Sequence, residues 1–223
     1  MNEIPGEAQV VVIGGGVVGA SVLYHLTAAG WQDAVLLERT ELTAGSTWHS
    51  AGGMHTLNGD PNVAKLQQYT IELYKEIEEI SGQDCGITIT GGIMLADSEQ
   101  RMDWLRSAHA KGRYLGMETE LLSVSEAKEL LPIFDEQYFV GAMYDAHEGH
   151  VDPSGVTHAF AKAARQNGAA VFRDTWVNAL EKASDGGWLV HTIKTSTGER
   201  LRTVHCQHVV NAGGLWAREV GRM

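Results

Sequence analysis

A run of β-branched residues, Val10-Val11-Val12-Ile13, stops at Gly14-Gly15-Gly16, and Gly14, Gly16 and Gly19 carry the spacing Gly-x-Gly-x-x-Gly. After a strand and before a helix each glycine has its own task. The first permits the tight turn, the second lets backbone approach a pyrophosphate, and the third lets helix and strand pack closely. Val18, Val22 and Leu26 then recur at helical spacing through residues 17–29 before Gly30 closes the segment. A second short apolar run, residues 34–37, ends at Glu38. That carboxylate stands about 20 residues beyond the turn, where an acid can accept hydrogen bonds from both ribose hydroxyls. Strand, glycines, helix, strand and acid agree on a βαβ unit that holds a dinucleotide.

The glycines do not say which dinucleotide, because NAD and FAD sites both use them. The next segment does. Residues 39–53 have no sustained period and are too long for a simple connector. Within them Gly45-Ser46-Thr47-Trp48-His49-Ser50-Ala51-Gly52-Gly53 offers small residues and hydroxyls that suit a pyrophosphate and a flavin ring, for which an ordinary NAD dehydrogenase has no need.

Beyond this loop the pattern is mixed. Pro61 precedes an expected helix with Val63, Leu66, Tyr69, Leu73, Ile77 and Ile80 on one face. Residues 86–96 read as strands around Gly91-Gly92, followed by helices over 101–115 and 125–131 and a strand over 139–143. Asp152-Pro153 is a helix start, with the acid as cap and Pro in the first turn, and Asn167-Gly168 ends that helix. Strands over 170–173, 176–181, 188–193 and 204–211, separated by Ser-Asp-Gly-Gly and Ser-Thr-Gly turns, read as a small sheet of hairpins. Asn211-Ala212-Gly213-Gly214 then opens a new helix at Leu215. Trp31, Trp104, Trp176 and Trp188 are expected in the core. His147, Glu148, His150 and Asp152 are the other polar cluster, but their spacing does not suit a metal and Asp152 is better used as a cap, so no metal is expected.

At 223 residues the chain is long enough for one domain of average size or two small intertwined ones. A net charge of −11 speaks against nucleic acid, whose binding draws on Lys and Arg. It does not speak against a dinucleotide held by backbone N–H groups and a helix dipole. No apolar run reaches the ~18 residues of a membrane span. Cys85 and Cys206 lie in no metal-like or disulfide pattern and are expected as reduced core thiols. With no targeting signal visible, the expected location is the cytoplasm.

From Val10 onward the sequence resembles the dimethylglycine and sarcosine dehydrogenase branch of the D-amino-acid-oxidase-like flavoproteins. The resemblance rests on Val11-Val12-Ile13-Gly14-Gly15-Gly16, Leu37-Glu38-Arg39, Ala44 through Gly52, Gly149-His150-Val151-Asp152-Pro153, and Val210-Asn211-Ala212-Gly213 through Trp216-Ala217-Arg218-Glu219-Val220-Gly221. It implies an α/β fold: a Rossmann-like FAD-binding domain (1–60 and about 146–223) interleaved with part of an α+β substrate domain of mainly antiparallel sheet (about 61–145). It implies that Val17 and Val18 meet the diphosphate, Glu38 and Arg39 the adenosine ribose, and Gly45 through Gly53 the pyrophosphate and flavin. Val177 would meet adenine through its backbone, and Ala212, Gly213 and Trp216 would also touch the cofactor. His49 stands where the family joins its histidine to the flavin 8α-methyl group. Gly53 stands where a bulkier apolar residue is common.

The implied activity is FAD-dependent oxidation of a small N-methylated amine by hydride transfer to flavin N5. Electrons would pass to oxygen or an electron-transfer flavoprotein, and tetrahydrofolate would serve only in a full-length protein. Members of the branch are much longer, so the chain is read as an amino-terminal part that binds FAD poorly alone; no catalytic residue is assigned. The rival readings are a regulatory flavoprotein of the same ancestry, for which His49 is the discriminating residue, and an NAD-dependent Rossmann enzyme.

Overall fold

The computed structural model describes residues 3–56, 58 and 60–223. Contacts divide the chain into two compact units. The first takes the residues up to Ala51, Glu76–Cys85 and Asp152–Met223; the second takes Gly52–Lys75 and Gly86–Val151.

In the first unit, β1 (Glu7–Ile13), α1 (Val17–Ala28) and β2 (Ala34–Leu37) form the expected βαβ motif, with β1 parallel to β2. Val10, Val11 and Val12 are all buried although they alternate between faces. A strand covered on both sides needs a continuous apolar run, and this one has it. The face that α1 buries differs from the expected one: Gly19, Ala20, Leu23, Tyr24 and Thr27 point inward, whereas Val18 is 64% exposed. This helix is apolar nearly all round, so spacing alone does not choose its inner face.

The second unit opens with β3 (Gly53–Met54). Helix α2 (Pro61–Ser81) follows, with its residues up to Lys75 in the second unit and the remainder in the first. Ala64, Ile71, Leu73 and Ile77 are its buried apolar residues, while Val63, Leu66, Tyr69 and Ile80 are exposed, so the expected stripe is only partly the buried one. Next come β4 (Gly92–Ala96), α3 (Glu99–Tyr114), β5 (Thr119–Leu122), α4 (Val124–Leu130), β6 (Gly141–Asp145) and β7 (Gly149–His150). Strands β4, β6 and β5 make an antiparallel sheet in that order, and β3 pairs with β7. Residues 86–96 are therefore not a hairpin. Thr88 bridges to His150, and Gly91, with φ +73°, turns the chain so that β4 pairs with β6 instead. Ser123 caps α4 reciprocally with Glu126, which is why the helix starts there.

The chain returns to the first unit with α5 (Pro153–Gln166), β8 (Ala170–Phe172), β9 (Thr175–Lys182), β10 (Trp188–Lys194), β11 (Val204–Asn211) and the short α6 (Ala217–Val220). Asp152 caps α5 by accepting from the N–H groups of Ser154 and Gly155. Helix α5 packs against α1, with the Phe160 and Tyr24 rings 5.6 Å apart. Strands β8 to β11 do not form a sheet of their own. They join β1 and β2 in one six-stranded sheet of order β8-β2-β1-β11-β10-β9, parallel from β8 to β11 and antiparallel beyond. Turn signals give the β9–β10 hairpin; pairing with β1 and β2 is long-range and no local signal carries it. One face of this sheet is a core of Val11, Ile13, Val35, Leu37, Val177, Val190, Val204 and Cys206.

None of the four tryptophans expected in the core is fully buried, Trp31 and Trp188 being half-buried. Trp104 is 50% exposed beneath the Arg101 guanidinium, and Trp176 is 42% exposed. Both cysteines are buried and free. Burial is the main reason the Cys85 thiol is pushed up to about 12, reinforced by Glu78, Asp84 and Asp152; burial likewise raises Cys206 to about 11. A thiol whose pKa rises on folding adds stability that is complete below its unfolded value and is lost as pH climbs through the folded one. We expect thiol-reactive dye to leave both cysteines of the folded protein unlabelled at pH 8. We also expect the melting temperature to fall from about pH 9 upward, less so in Cys206→Ala.

Candidate cofactor site

The carboxyl ends of β1, β2 and β11 converge on the glycine turn. The Gly14 N–H donates to the Leu37 carbonyl at 2.9 Å, and the Ala212 N–H donates to that of Ile13 at 2.9 Å. Gly14 has φ +113°, and a Cβ there would lie 2.3 Å from the Ala212 carbonyl oxygen. At Gly19 a Cβ would lie 1.9 Å from the Gly14 oxygen, so both glycines are required by close backbone approach. Gly16 precedes α1 and supplies no side-chain cap. The Thr47 hydroxyl accepts the Val17 N–H instead at 3.0 Å, and a Cβ on Gly16 would crowd that same oxygen.

The Glu38 carboxylate accepts the Gly15 N–H at 2.7 Å through one oxygen, and the N–H and hydroxyl of Thr40 through the other. A carboxylate has about four acceptor positions, so room remains for one further donor rather than for two. The Glu38 backbone is held between Phe172 and Thr175. The Arg39 guanidinium lies 4.3 Å from the centroid of the Trp216 ring, and Trp216 also approaches Gly45. Val177 is buried, with its backbone paired to Thr192.

Residues 47–49 form one 3₁₀ turn. The His49 ring lies 3.9 Å from that of Trp48, and its Nδ1 donates to the Gly45 carbonyl at 3.1 Å. A carbonyl only accepts, so Nδ1 carries a proton and Nε2 is the ring nitrogen left uncommitted by this bond. Ser46, Ser50 and Ala51 are exposed around this turn. Gly52 and Gly53 fall in the second unit. Thr43, which the sequence did not single out, pins the loop: its N–H donates to the Gly15 carbonyl, and it holds φ +72°. A β-branched residue in that region is unusual and gives no sequence signal.

The second polar cluster does not gather. Asp152 caps α5, His147 makes a surface pair with Glu118, and Glu148 is buried against His55. Among the described residues no group of three or more His, Cys, Asp or Glu is placed to hold a metal. No helix among them is long and apolar enough to cross a membrane.

The site's chemistry suits a dinucleotide. Its glycines leave backbone room for a pyrophosphate at the start of a helix. Val18, Trp48 and Trp216 are exposed. Residues 9–223 match the model of the family described as FAD dependent oxidoreductase. The chain belongs to that family. It is 38% identical over 216 residues to human (Homo sapiens) mitochondrial dimethylglycine dehydrogenase, covering 97% of this chain and 24% of the relative. It is 36% identical over 219 residues to the mouse (Mus musculus) mitochondrial pyruvate dehydrogenase phosphatase regulatory subunit, covering 98% of this chain and 24% of the relative. Among solved structures, L-proline dehydrogenase from P. horikoshii superposes with a TM-score of 0.88 at 26% identity, over 99% of this chain and 56% of that one. The chain thus spans about a quarter of the length of these curated relatives.

In this FAD-dependent oxidoreductase chain the turn leaves no room for a side chain at residues 14 and 19. Gly19→Ala is expected to destabilise the protein by about 1–3 kcal/mol through overpacking. Thr47→Val, which removes only the acceptor for the Val17 N–H, is expected to cost about 1 kcal/mol. Urea unfolding of both variants measures the ranking.

Proposed function

We propose that this chain carries the FAD-binding part of an oxidoreductase acting on a secondary or tertiary N-methylated amine of the dimethylglycine or sarcosine type, with the flavin joined to His49. When bound, FAD supplies a ring that accepts hydride at N5 from the N-methyl carbon. The glycine turn and the start of α1 would take the diphosphate, Glu38 and Arg39 the ribose, and the 45–53 loop the flavin side. Val177, Ala212, Gly213 and Trp216 would complete the cradle. The bond between His49 Nδ1–H and the Gly45 carbonyl is the observation that carries the covalent reading. It keeps a proton on Nδ1, so Nε2 is the nitrogen that would bond the 8α carbon in place of one of its hydrogens, that hydrogen leaving as a proton and the flavin ring itself taking up the electron pair. The similarity to dimethylglycine dehydrogenase supports the substrate class. Because the chain spans so little of that relative, transfer of the released one-carbon unit to tetrahydrofolate is proposed only for a longer protein.

Acid precipitation of the flavin-loaded protein tests the link. The yellow colour is expected to stay with the pellet in the unaltered protein and to pass into the supernatant in His49→Ala. Release from the unaltered protein would overturn the covalent assignment. The similarity to a phosphatase regulatory subunit favours a second reading, a flavoprotein without turnover. Under it, N-methylated amines would leave the bound flavin's absorbance unchanged in the absence of oxygen, whereas the enzyme reading expects bleaching.

A further inference from the structure

The second unit exposes two surfaces of opposite character. The first is the outer side of α3. Met102 and Leu105 turn inward, to a core shared with Ala96 and Met143 of the three-stranded sheet. Trp104, Lys111 and Tyr114, at intervals of seven and three residues, fall together on the other side. Tyr114 is 88% exposed, and the Arg101 guanidinium lies 4.2 Å from the centroid of the Trp104 ring. Arg106 is balanced by Asp103 and Glu99, but Lys111 and Arg113 close the helix, and residues 104–116 contain no acid. The result is a basic, aromatic stripe.

The second surface is the segment that follows α4. Residues 129–140 carry three acids, Glu129, Asp135 and Glu136, and no base. Among them Ile133 is 88% exposed and Tyr138 66%, with Leu130 and Val140 also exposed. The segment is nonetheless tightly held. The Phe134 and Phe139 rings meet edge to face at 5.3 Å, Lys128 of α4 donates to the Phe134 carbonyl, and Asp135 caps the 3₁₀ turn Glu136–Tyr138. The two phenylalanines fold the segment on itself, and Ile133 and Tyr138 beside them are what it turns outward. An apolar patch fixed in this form loses little further freedom when it is covered.

We propose that the second unit pairs with a second copy of this chain about a two-fold axis, the α3 stripe of each copy seated on the 129–140 surface of the other. Tryptophan, tyrosine and arginine are the residues that interface centres favour. Acids around an apolar patch repel another acidic surface and accept a basic one. With a net charge of −11, two copies repel each other except where a local basic surface meets a local acidic one, and both are present on the same unit. The same net charge opposes a polyanion as the occupant of the stripe. A two-fold arrangement uses both contacts twice and leaves neither surface open for a third copy. This pairing is independent of the flavin reading above.

Sedimentation of the chain over about 1–100 µM is the test, and a monomer–dimer equilibrium that weakens as salt is raised is expected. Two paired charge reversals sharpen it. Lys111→Glu with Arg113→Glu makes the stripe acidic, and Glu129→Lys with Glu136→Lys makes the patch basic; each variant alone is expected to dissociate ~10-fold or more readily. Mixed in equal amounts, the two should form a heterodimer, because each variant's stripe then meets a patch of opposite charge. Ile133→Ser, which alters a single exposed side chain, should by itself weaken the dimer ~10-fold. Circular-dichroism melting checks that every variant is folded. A monomer throughout the range, variants that associate as the unaltered chain does, or species that grow beyond two copies with concentration would each overturn the pairing. So would a monomer that co-sediments with phosphatidylserine vesicles and loses this in Lys111→Glu with Arg113→Glu, since the stripe would then belong to a membrane surface.

Discussion

Everything in the first unit is arranged around a contact that tolerates no side chain. The Gly14 carbonyl lies where a Cβ of residue 19 would be, and the Ala212 carbonyl lies where a Cβ of residue 14 would be. Two strands and a helix can meet this closely only as bare backbone. Because they do, the ends of β1, β2 and β11 draw together, Glu38 comes within reach of the Gly15 N–H, and the Thr47 hydroxyl reaches the first turn of α1. This convergence follows from the glycines, and the loop residues are hung on it.

The loop owes its shape to hydrogen bonds rather than to a core. Thr43 and Thr47 tie it to the glycine turn, and one turn of 3₁₀ helix then presents Trp48 and His49 outward. Neutral imidazole is a modest nucleophile and an indifferent surface group. What distinguishes His49 is that a backbone carbonyl has decided which of its nitrogens is available. The same device recurs at His55, with a buried carboxylate in place of the carbonyl.

What could be read in advance was what depends on residue type and short spacing. The Gly-x-Gly-x-x-Gly turn, the strand before it, the acid after it and the Asp152-Pro153 helix start are all local demands, and each gives a residue signature. The inner face of α1 was not legible, because a helix that is apolar nearly all round carries little periodic instruction. Nor was the placement of β8 and β11, since hairpin turns specify only strands adjacent in sequence. Thr43 at positive φ breaks a local rule and was missed for that reason. The pairing of His55 with Glu148 spans 93 positions, and no spacing in the chain points to it.

The six-stranded sheet takes its first two strands from the start of the chain and its remaining four from residues beyond 169, with Glu7 of β1 opposite His205 of β11. During synthesis the glycine turn therefore emerges long before the strand that pairs beside it. Contacts of such sequence separation are slow to form. A growing chain has a nascent βαβ motif, and the close approach of Gly14 to Ala212 forms only after β11 has been made.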